Sequence, residues 1–158
     1  MPRFKSGAAD QRPRSALNKK VRHPTPALTT LASMDMKLEL VPVPVTDVDR
    51  AKSFYVDKVG FHADVDQRVN DQLRFVQLTP PGSACSIVIG EGVTQMTPGS
   101  QKGLQVVVRD VEAARRLLVD RGVDAPPVEV FPWGSFTYFS DPDGNTWAVQ
   151  QLPPRPQR

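Results

Sequence analysis

Few residues in this sequence have side chains that commonly bind metals or act as nucleophiles, and their spacing limits the chemistry. The 158 residues include two histidines, His23 and His62, and one cysteine, Cys85. A zinc site needs several Cys, His or carboxylate ligands at short spacings, and a reactive thiol needs a nearby base or cation. Neither pattern is present in the sequence. We therefore interpret Cys85 as a small buried residue and His62 as a surface residue.

Carboxylates are plentiful, but helix caps and turns account for those at prominent positions. Asp47 and Asp110 each precede a run with helical periodicity, where an aspartate commonly caps the helix. Asp141 and Asp143 belong to an Asp-Pro-Asp-Gly turn sequence. Spacing alone brings no two carboxylates together as a general acid and base. Motifs for a serine nucleophile, a phosphate-binding loop and dinucleotide binding are also absent from the sequence.

The composition is that of a soluble protein without a membrane partner. Hydrophobic residues make up 39% of the chain and charged residues 23%. No apolar run approaches the roughly 20 residues of a membrane span, and no secretory signal is evident. One cysteine cannot form an internal disulfide, so we expect a cytoplasmic protein.

The positive charge of the chain is concentrated at its N-terminus. Residues 1–34 contain seven Lys or Arg and one acid, Asp10, which gives this segment a net charge of 7 − 1 = +6. Since the whole chain has a net charge of +3, the remaining residues have a net charge of 3 − 6 = −3. We predict that residues 1–34 form a disordered basic tail, because they have little apolar surface to bury. We expect the tail to be functionally neutral or not translated; an arm that binds nucleic acid or an acidic surface, and a targeting segment, are the alternatives. Nucleic acid is not an expected partner of the acidic remainder.

The chain after the tail begins with a strand, a helix and three strands, which we name module one (residues 37–90). Pro42 and Pro44 restrict the first strand, at residues 37–45, to a sheet edge or a bulge. The helix is expected to start at Thr46-Asp47 and to end at Gly60. The following strands are predicted at residues 61–68, 73–79 and 84–89.

A second stretch, module two (residues 103–152), repeats this order after a linker at residues 91–102. Asp110 caps its helix, and Gly122 ends it. Its strands are predicted at residues 103–108, 127–131, 135–140 and 145–151. Residues 153–158 are expected to form a polar C-terminal tail.

The two modules match residue by residue at an offset of 63 positions. The matched pairs are Asp47 and Asp110, Val48 and Val111, Ala51 and Ala114, Phe54 and Leu117, and Asp57 and Asp120. One module alone would leave a sheet face uncovered, so two must pack to close a core. The sequence therefore predicts an α+β protein of two βαβββ modules in one domain, residues 35–152.

Three stretches of the sequence resemble the vicinal oxygen chelate superfamily, which includes glyoxalase I, bleomycin-resistance proteins and extradiol dioxygenases. They are residues 44–55 (PVTDVDRAKSFY), the Val59-Gly60-Phe61 turn, and residues 139–145 (FSDPDGN). The resemblance covers residues 36–152. It implies a cupped mixed sheet and a homodimer whose cups form between or within chains.

In the metal-dependent members of this superfamily, four strands each place a His, Glu or Gln ligand inside the cup. The resemblance maps these positions onto Leu40, Gln77, Leu104 and Ala148. Only Gln77 could coordinate, and one neutral amide does not hold a divalent cation. We therefore expect no metal and no other cofactor.

A shift of one residue in register would offer Glu39 and Gln105 as ligands instead. Because side chains alternate along a strand, we expect both of these to face away from the pocket. A bulge at Pro42 or Pro44 would turn the Glu39 side chain into the pocket, and a metal site would require such a bulge.

An apolar cup with a few polar groups then remains as the predicted binding site. Its predicted lining residues are Leu40, Pro42, Phe75, Gln77, Leu104, Val106, Ala148 and Gln150. Trp133 and Tyr138 are predicted to close its rim, with Phe131 and Phe136 beside them. Packing in the core is the alternative for each residue. Arg74, beside the pocket strand, either pairs an anionic ligand or is solvated.

Two functional hypotheses follow from the resemblance and from the residues at these positions. The first is a protein that binds a small, partly aromatic molecule without metal, for sequestration or resistance. The second is a metal-dependent lyase, isomerase or dioxygenase of the same superfamily, which would need ligands that the mapped positions lack.

Overall fold

The computed structural model describes residues 34–155, and in them strands and helices follow the predicted order. Module one contains β1 (Leu40–Pro42), α1 (Val48–Ser53), which continues as a π-helix (Phe54–Val59), β2 (His62–Asn70), β3 (Leu73–Thr79) and β4 (Ser86–Glu91). Module two contains β5 (Leu104–Val108), α2 (Val111–Asp120), β6 (Glu129–Phe131), β7 (Gly134–Ser140) and β8 (Thr146–Gln151). The predicted basic tail lies outside the described residues, apart from Met34.

Each module forms its own four-stranded sheet, with the same strand order in both. Sheet A has the order β1-β4-β3-β2, and sheet B has the order β5-β8-β7-β6. β1 runs parallel to β4 in sheet A, and β5 runs parallel to β8 in sheet B; all other neighbouring strands are antiparallel. The prediction of two βαβββ modules in an α+β fold is thus confirmed. No strand of one sheet pairs with a strand of the other within residues 34–155.

Both helices start at the predicted aspartates. The side chain of Asp47 accepts a hydrogen bond from the backbone N–H of Arg50, and that of Asp110 accepts one from Ala113, each at 2.9 Å. The end of the first helix was predicted at Gly60, which adopts a left-handed conformation with φ of 93°. A side chain at this φ would be strained, so glycine suits the position.

The π-helix before Gly60 was not predicted. Its wider turn is closed by a 2.9 Å hydrogen bond from the backbone N–H of Gly60 to the carbonyl of Tyr55. Both Phe54 and Tyr55 are buried although they are adjacent in sequence. Apolar periodicity alone does not distinguish such a turn from a continued α-helix.

One hydrophobic core contains residues from both helices and from one face of each sheet, which we name the core face. Sheet A contributes Val76, Leu78, Ile87 and Ile89, and sheet B contributes Phe139, Trp147 and Val149. Because side chains alternate along strands, the residues between these point to the opposite side of each sheet. We name this side the open face.

The Asp141-Pro142-Asp143-Gly144 turn links module two to the first helix through a buried carboxylate. Asp141 accepts hydrogen bonds from the Tyr55 hydroxyl at 2.8 Å and from the Asn145 side chain at 2.7 Å. The Trp147 indole N–H in turn donates to the Tyr55 oxygen at 3.1 Å. Burial, together with the negative charge of Asp141, raises the pKa of the Tyr55 hydroxyl, so Tyr55 remains a neutral donor.

No helix in residues 34–155 is long and apolar enough to span a membrane.

Replacing Tyr55 with phenylalanine is expected to lower the free energy of unfolding by about 1–3 kcal/mol, because the buried Asp141 carboxylate loses a donor. Urea unfolding measures this change. Tyr138→Phe is the matched control, since the Tyr138 hydroxyl makes no hydrogen bond within residues 34–155 and should change stability little. Equal stability of the Tyr55→Phe variant and the native chain would contradict a stabilising role for this bond.

Candidate functional site

The open face of sheet A contains the predicted residues of β1 and β3. Leu40 pairs with Ser86, and Pro42 pairs with Val88, in an unbroken register between β1 and β4. The predicted residues of β3, Phe75 and Gln77, alternate with the core residues Val76 and Leu78 and so lie on the same open face.

The open face of sheet B contains the predicted residues of β7 and β8. Tyr138 pairs with Ala148, and Phe136 pairs with Gln150. These four residues alternate with the core residues Phe139, Trp147 and Val149. Alternation therefore places Ala148, Gln150 and Tyr138 on one surface.

The predicted orientation of Leu104 and Val106 requires correction. These residues pair with Trp147 and Val149, and they pack against the hydrophobic core. Gln105 pairs with Ala148 and therefore lies on the open face. The internal repeat could have predicted this orientation, because the offset of 63 residues makes position 103, and not 104, the equivalent of Leu40. Position 103 is a glycine, and alternation puts it on the same side of the sheet as Gln105.

The residues at the four mapped positions do not fit a divalent metal. Once the orientation of β5 is corrected, the residues at these positions are Leu40, Gln77, Gly103 and Ala148. Only Gln77 among them has a side-chain oxygen or nitrogen. Residues 34–155 contain no cluster of three or more His, Cys, Asp or Glu suited to a metal ion. The register of β1 with β4 is unbroken from Leu40 to Pro42, so no bulge falls within that strand.

Aromatic rings cover one end of the open face of sheet B. Trp133, in the turn between β6 and β7, stacks on Phe131 with ring centres 5.2 Å apart and 10° between the planes. Phe131 meets Phe136 edge to face at 5.9 Å, and Phe136 stacks with Tyr138 at 6.3 Å. Although it stacks on Phe131, Trp133 remains 62% exposed.

Two glutamines fix the turn that presents Trp133. The side-chain N–H of Gln150 donates to the carbonyl of Trp133 at 3.0 Å. The side-chain oxygen of Gln150 accepts a hydrogen bond from Gln105 at 2.5 Å. Gln150 is therefore paired at both ends and is buried, so it positions the aromatic turn instead of facing solvent.

A chain of hydrogen bonds crosses the open face of sheet A. Gln77 donates to the Ser86 hydroxyl at 3.2 Å, and the hydroxyls of Ser86 and Thr79 are 2.6 Å apart. Thr79 donates to the carboxylate of Asp64. Sequence reasoning found Gln77 but missed the other members, because the β-bulge between Ala63 and Val65 that leaves Asp64 unpaired has no clear sequence signal.

The predicted lining residues do not share one cavity in the described chain. A cavity of about 500 Å³ includes Tyr138 and Ala148 at one end of sheet B. Another, of about 460 Å³, lies between β5, α2 and the loop after β3, and includes Gln105 and Val106. The remaining predicted residues border neither of these two cavities.

Arg74 does not face the open side of sheet A, and it is not solvated. Its side chain is 16% exposed and forms ion pairs with Asp66 at 3.0 Å and with Asp49 at 2.9 Å. Lys52 also contacts Asp66, at 2.8 Å. Alternation with Phe75 could have predicted that Arg74 points to the helix side of the sheet. His62 is a surface residue, as predicted, with its side chain 79% exposed.

The family model described as Glyoxalase/Bleomycin resistance protein/Dioxygenase superfamily matches residues 37–149, and the chain belongs to this superfamily. The curated relative YetH, an uncharacterized protein of Bacillus subtilis (strain 168), is 27% identical over 123 residues, which are 75% of this chain and all of YetH.

Two solved structures from Streptomyces sp. CB03234 are similar to this chain. One is TnmS3, described as an antibiotic binding protein, with 37% identity and a TM-score of 0.70, covering 77% of this chain and 99% of TnmS3. The other is a glyoxalase/bleomycin resistance protein with 39% identity and a TM-score of 0.66, covering 73% of this chain and all of that protein.

The free energy of unfolding is expected to fall as the pH is lowered below about 4. The pKa of Asp66 lies well below its usual range, mainly because Arg74 donates hydrogen bonds to it and to a smaller extent because Lys52 does. A hydrogen bond from Arg74 also lowers the pKa of Asp49. Such carboxyls stabilise the fold above the pKa of the unfolded chain, and this contribution is lost as the pH falls through the folded pKa. Urea unfolding at a series of pH values measures the effect.

The Asp66→Asn variant should lose less free energy of unfolding than the native chain when the pH falls from about 5 to about 3, the range in which carboxyls of the unfolded chain titrate. Asp57→Asn is the control, because Asp57 is exposed and forms no salt bridge within residues 34–155. The same acid sensitivity in both variants would show that the Arg74 cluster is not its source.

Proposed function

We propose that this protein binds a small, partly aromatic molecule on its open sheet faces without using a metal, for sequestration or resistance. The observation that carries the proposal is the row of aromatic rings on sheet B, which ends in the exposed indole of Trp133. The similarity to TnmS3, which is described as an antibiotic binding protein, supports the binding of a small molecule.

The geometry around Trp133 suits a planar ligand. The stack with Phe131 and the hydrogen bond from Gln150 to its carbonyl hold the indole in place before a ligand arrives. A pre-positioned ring loses little conformational freedom on binding, and aromatic stacking contributes about 0.5–1.5 kcal/mol beyond area burial. Ala148, paired with Tyr138, adds only a methyl group and leaves space above the sheet.

A second copy of the chain is part of the proposal. The two open faces carry exposed apolar side chains, such as Leu40 on sheet A and Val107 on sheet B, yet each forms only half a site. Exposed apolar patches of this kind are typical of protein interfaces. We propose that a homodimer in the cytoplasm brings an open face of one chain over that of its partner and so closes the cup.

Trp133→Ala is expected to weaken binding of a planar aromatic molecule about tenfold, a change consistent with loss of one stacking partner. The probe is 2-naphthol, and isothermal titration measures its Kd. Val130→Ala is the matched control: Val130 is 78% exposed and lies on the same hairpin, but it pairs with Ser135, whose side chain is on the core side of sheet B. Equal losses in both variants would contradict a stacking role for Trp133.

Metal analysis distinguishes the binding protein from a metal-dependent enzyme. Protein purified after growth with added zinc, manganese and iron is expected to carry no stoichiometric divalent ion, because the mapped positions offer one amide oxygen. A stoichiometric ion that is lost in the Gln77→Leu variant would overturn the proposal. That result would favour a lyase, isomerase or dioxygenase of this superfamily.

A further inference from the structure

We infer that Gln77 presents its side-chain carbonyl oxygen to the ligand and selects molecules that carry an O–H or N–H donor. The inference rests on the proposed function and names the chemistry that sheet A would recognise. Its basis is the hydrogen-bond chain of Asp64, Thr79, Ser86 and Gln77, which has only one consistent direction.

The hydrogen-bond chain begins at the carboxylate of Asp64, which a β-bulge directs onto the open face. Ala63 pairs with Leu78, Val65 pairs with Gln77, and Asp64 is the extra residue between them. Bulges re-aim side chains in this way. The Asp64 carboxylate accepts a hydrogen bond from Thr79, and an ionised carboxylate has no proton to give back.

The direction of each following bond is then determined. Thr79 has one hydroxyl proton, which goes to Asp64, so its oxygen must accept in the contact with Ser86. Ser86 therefore donates its own proton to Thr79 and must accept from Gln77. Only the amide nitrogen of Gln77 can donate, so the –NH₂ group faces Ser86.

This order leaves the carbonyl oxygen of Gln77 as the free acceptor of the amide. No donor in residues 34–155 reaches that oxygen, and Gln77 is only half-buried. Val65 and Val88, which pair with Gln77 from the strands on either side, and Phe75 on its own strand are apolar and offer no alternative partner. A ligand that covers this face without supplying a donor would leave the oxygen desolvated and unpaired, which costs affinity.

The test compares two probes with the same ring system, 2-naphthol and 2-methoxynaphthalene; in the second, a methyl group replaces the hydroxyl proton, so the molecule has no donor. The native protein is expected to bind 2-naphthol about tenfold more tightly, the discrimination expected of a polar group left unpaired. Gln77→Leu should abolish this preference. Gln67→Leu is the matched control, because Gln67 pairs with Phe75 on the same open face but is not part of the hydrogen-bond chain.

Thr79→Val tests the direction of the chain. It removes the acceptor for the Ser86 proton, so Ser86 becomes free to donate to the carbonyl of Gln77 and to turn the amide round. The variant should lose or reverse the preference for 2-naphthol while it still binds naphthalene rings. A purely structural role for Thr79 would weaken both probes equally. The side-chain amide resonances of Gln77, assigned with Gln77→Leu, should shift in Thr79→Val without any ligand.

The outcomes separate this inference from the proposed function. Equal binding of both probes to the native protein, with quenching of the exposed Trp133, would overturn the inference and leave the binding function standing. Binding of neither probe would overturn both. An unchanged preference in Thr79→Val would refute the direction of the chain.

Discussion

The buried carboxylate of Asp141 is the constraint on which the arrangement of the two modules depends. A carboxylate removed from water is costly unless donors surround it, and here the donors come from both modules. Tyr55 reaches it from the first helix, and Asn145 reaches it from within the turn while also donating to the carbonyl of Pro44 at the end of β1. Because β8 starts directly after Asn145, this network also fixes where Ala148 and Gln150 lie relative to module one.

The two sheets have the same topology, but their open faces offer different chemistry. On sheet B the two glutamines pair with each other and with the turn that presents Trp133, beside a row of stacked aromatic rings. On sheet A a carboxylate outside the regular pairing sets the direction of a hydrogen-bond chain, which ends in a carbonyl oxygen that no donor in residues 34–155 reaches. An internal repeat can thus preserve a fold while its two halves carry different side-chain chemistry.

How much the sequence could predict depended on the range of the interactions involved. The caps at Asp47 and Asp110 and the turn at Asp141 depend on neighbours within a few residues, so local pattern was enough. The parity of β5 depends on its pairing with β8, about 40 residues away, and the prediction missed it by one position. The Asp64 bulge and the Arg74 ion pairs depend on contacts of β3 with β2 and α1, which periodicity does not encode. Periodicity also does not distinguish the π-helix from a continued α-helix.

The register of β5 puts Gln105, and not Leu104, on the open face of sheet B, where it contacts Gln150. The Gln105 N–H is donated to Gln150, whose own N–H is donated to Trp133, so Gln150 is paired at both ends. The side-chain oxygen of Gln105 is exposed, and a single neutral amide oxygen does not hold a divalent cation. Gln77 on sheet A differs because its amide is half-buried beside apolar residues, where an acceptor without a donor costs more free energy than it does in water.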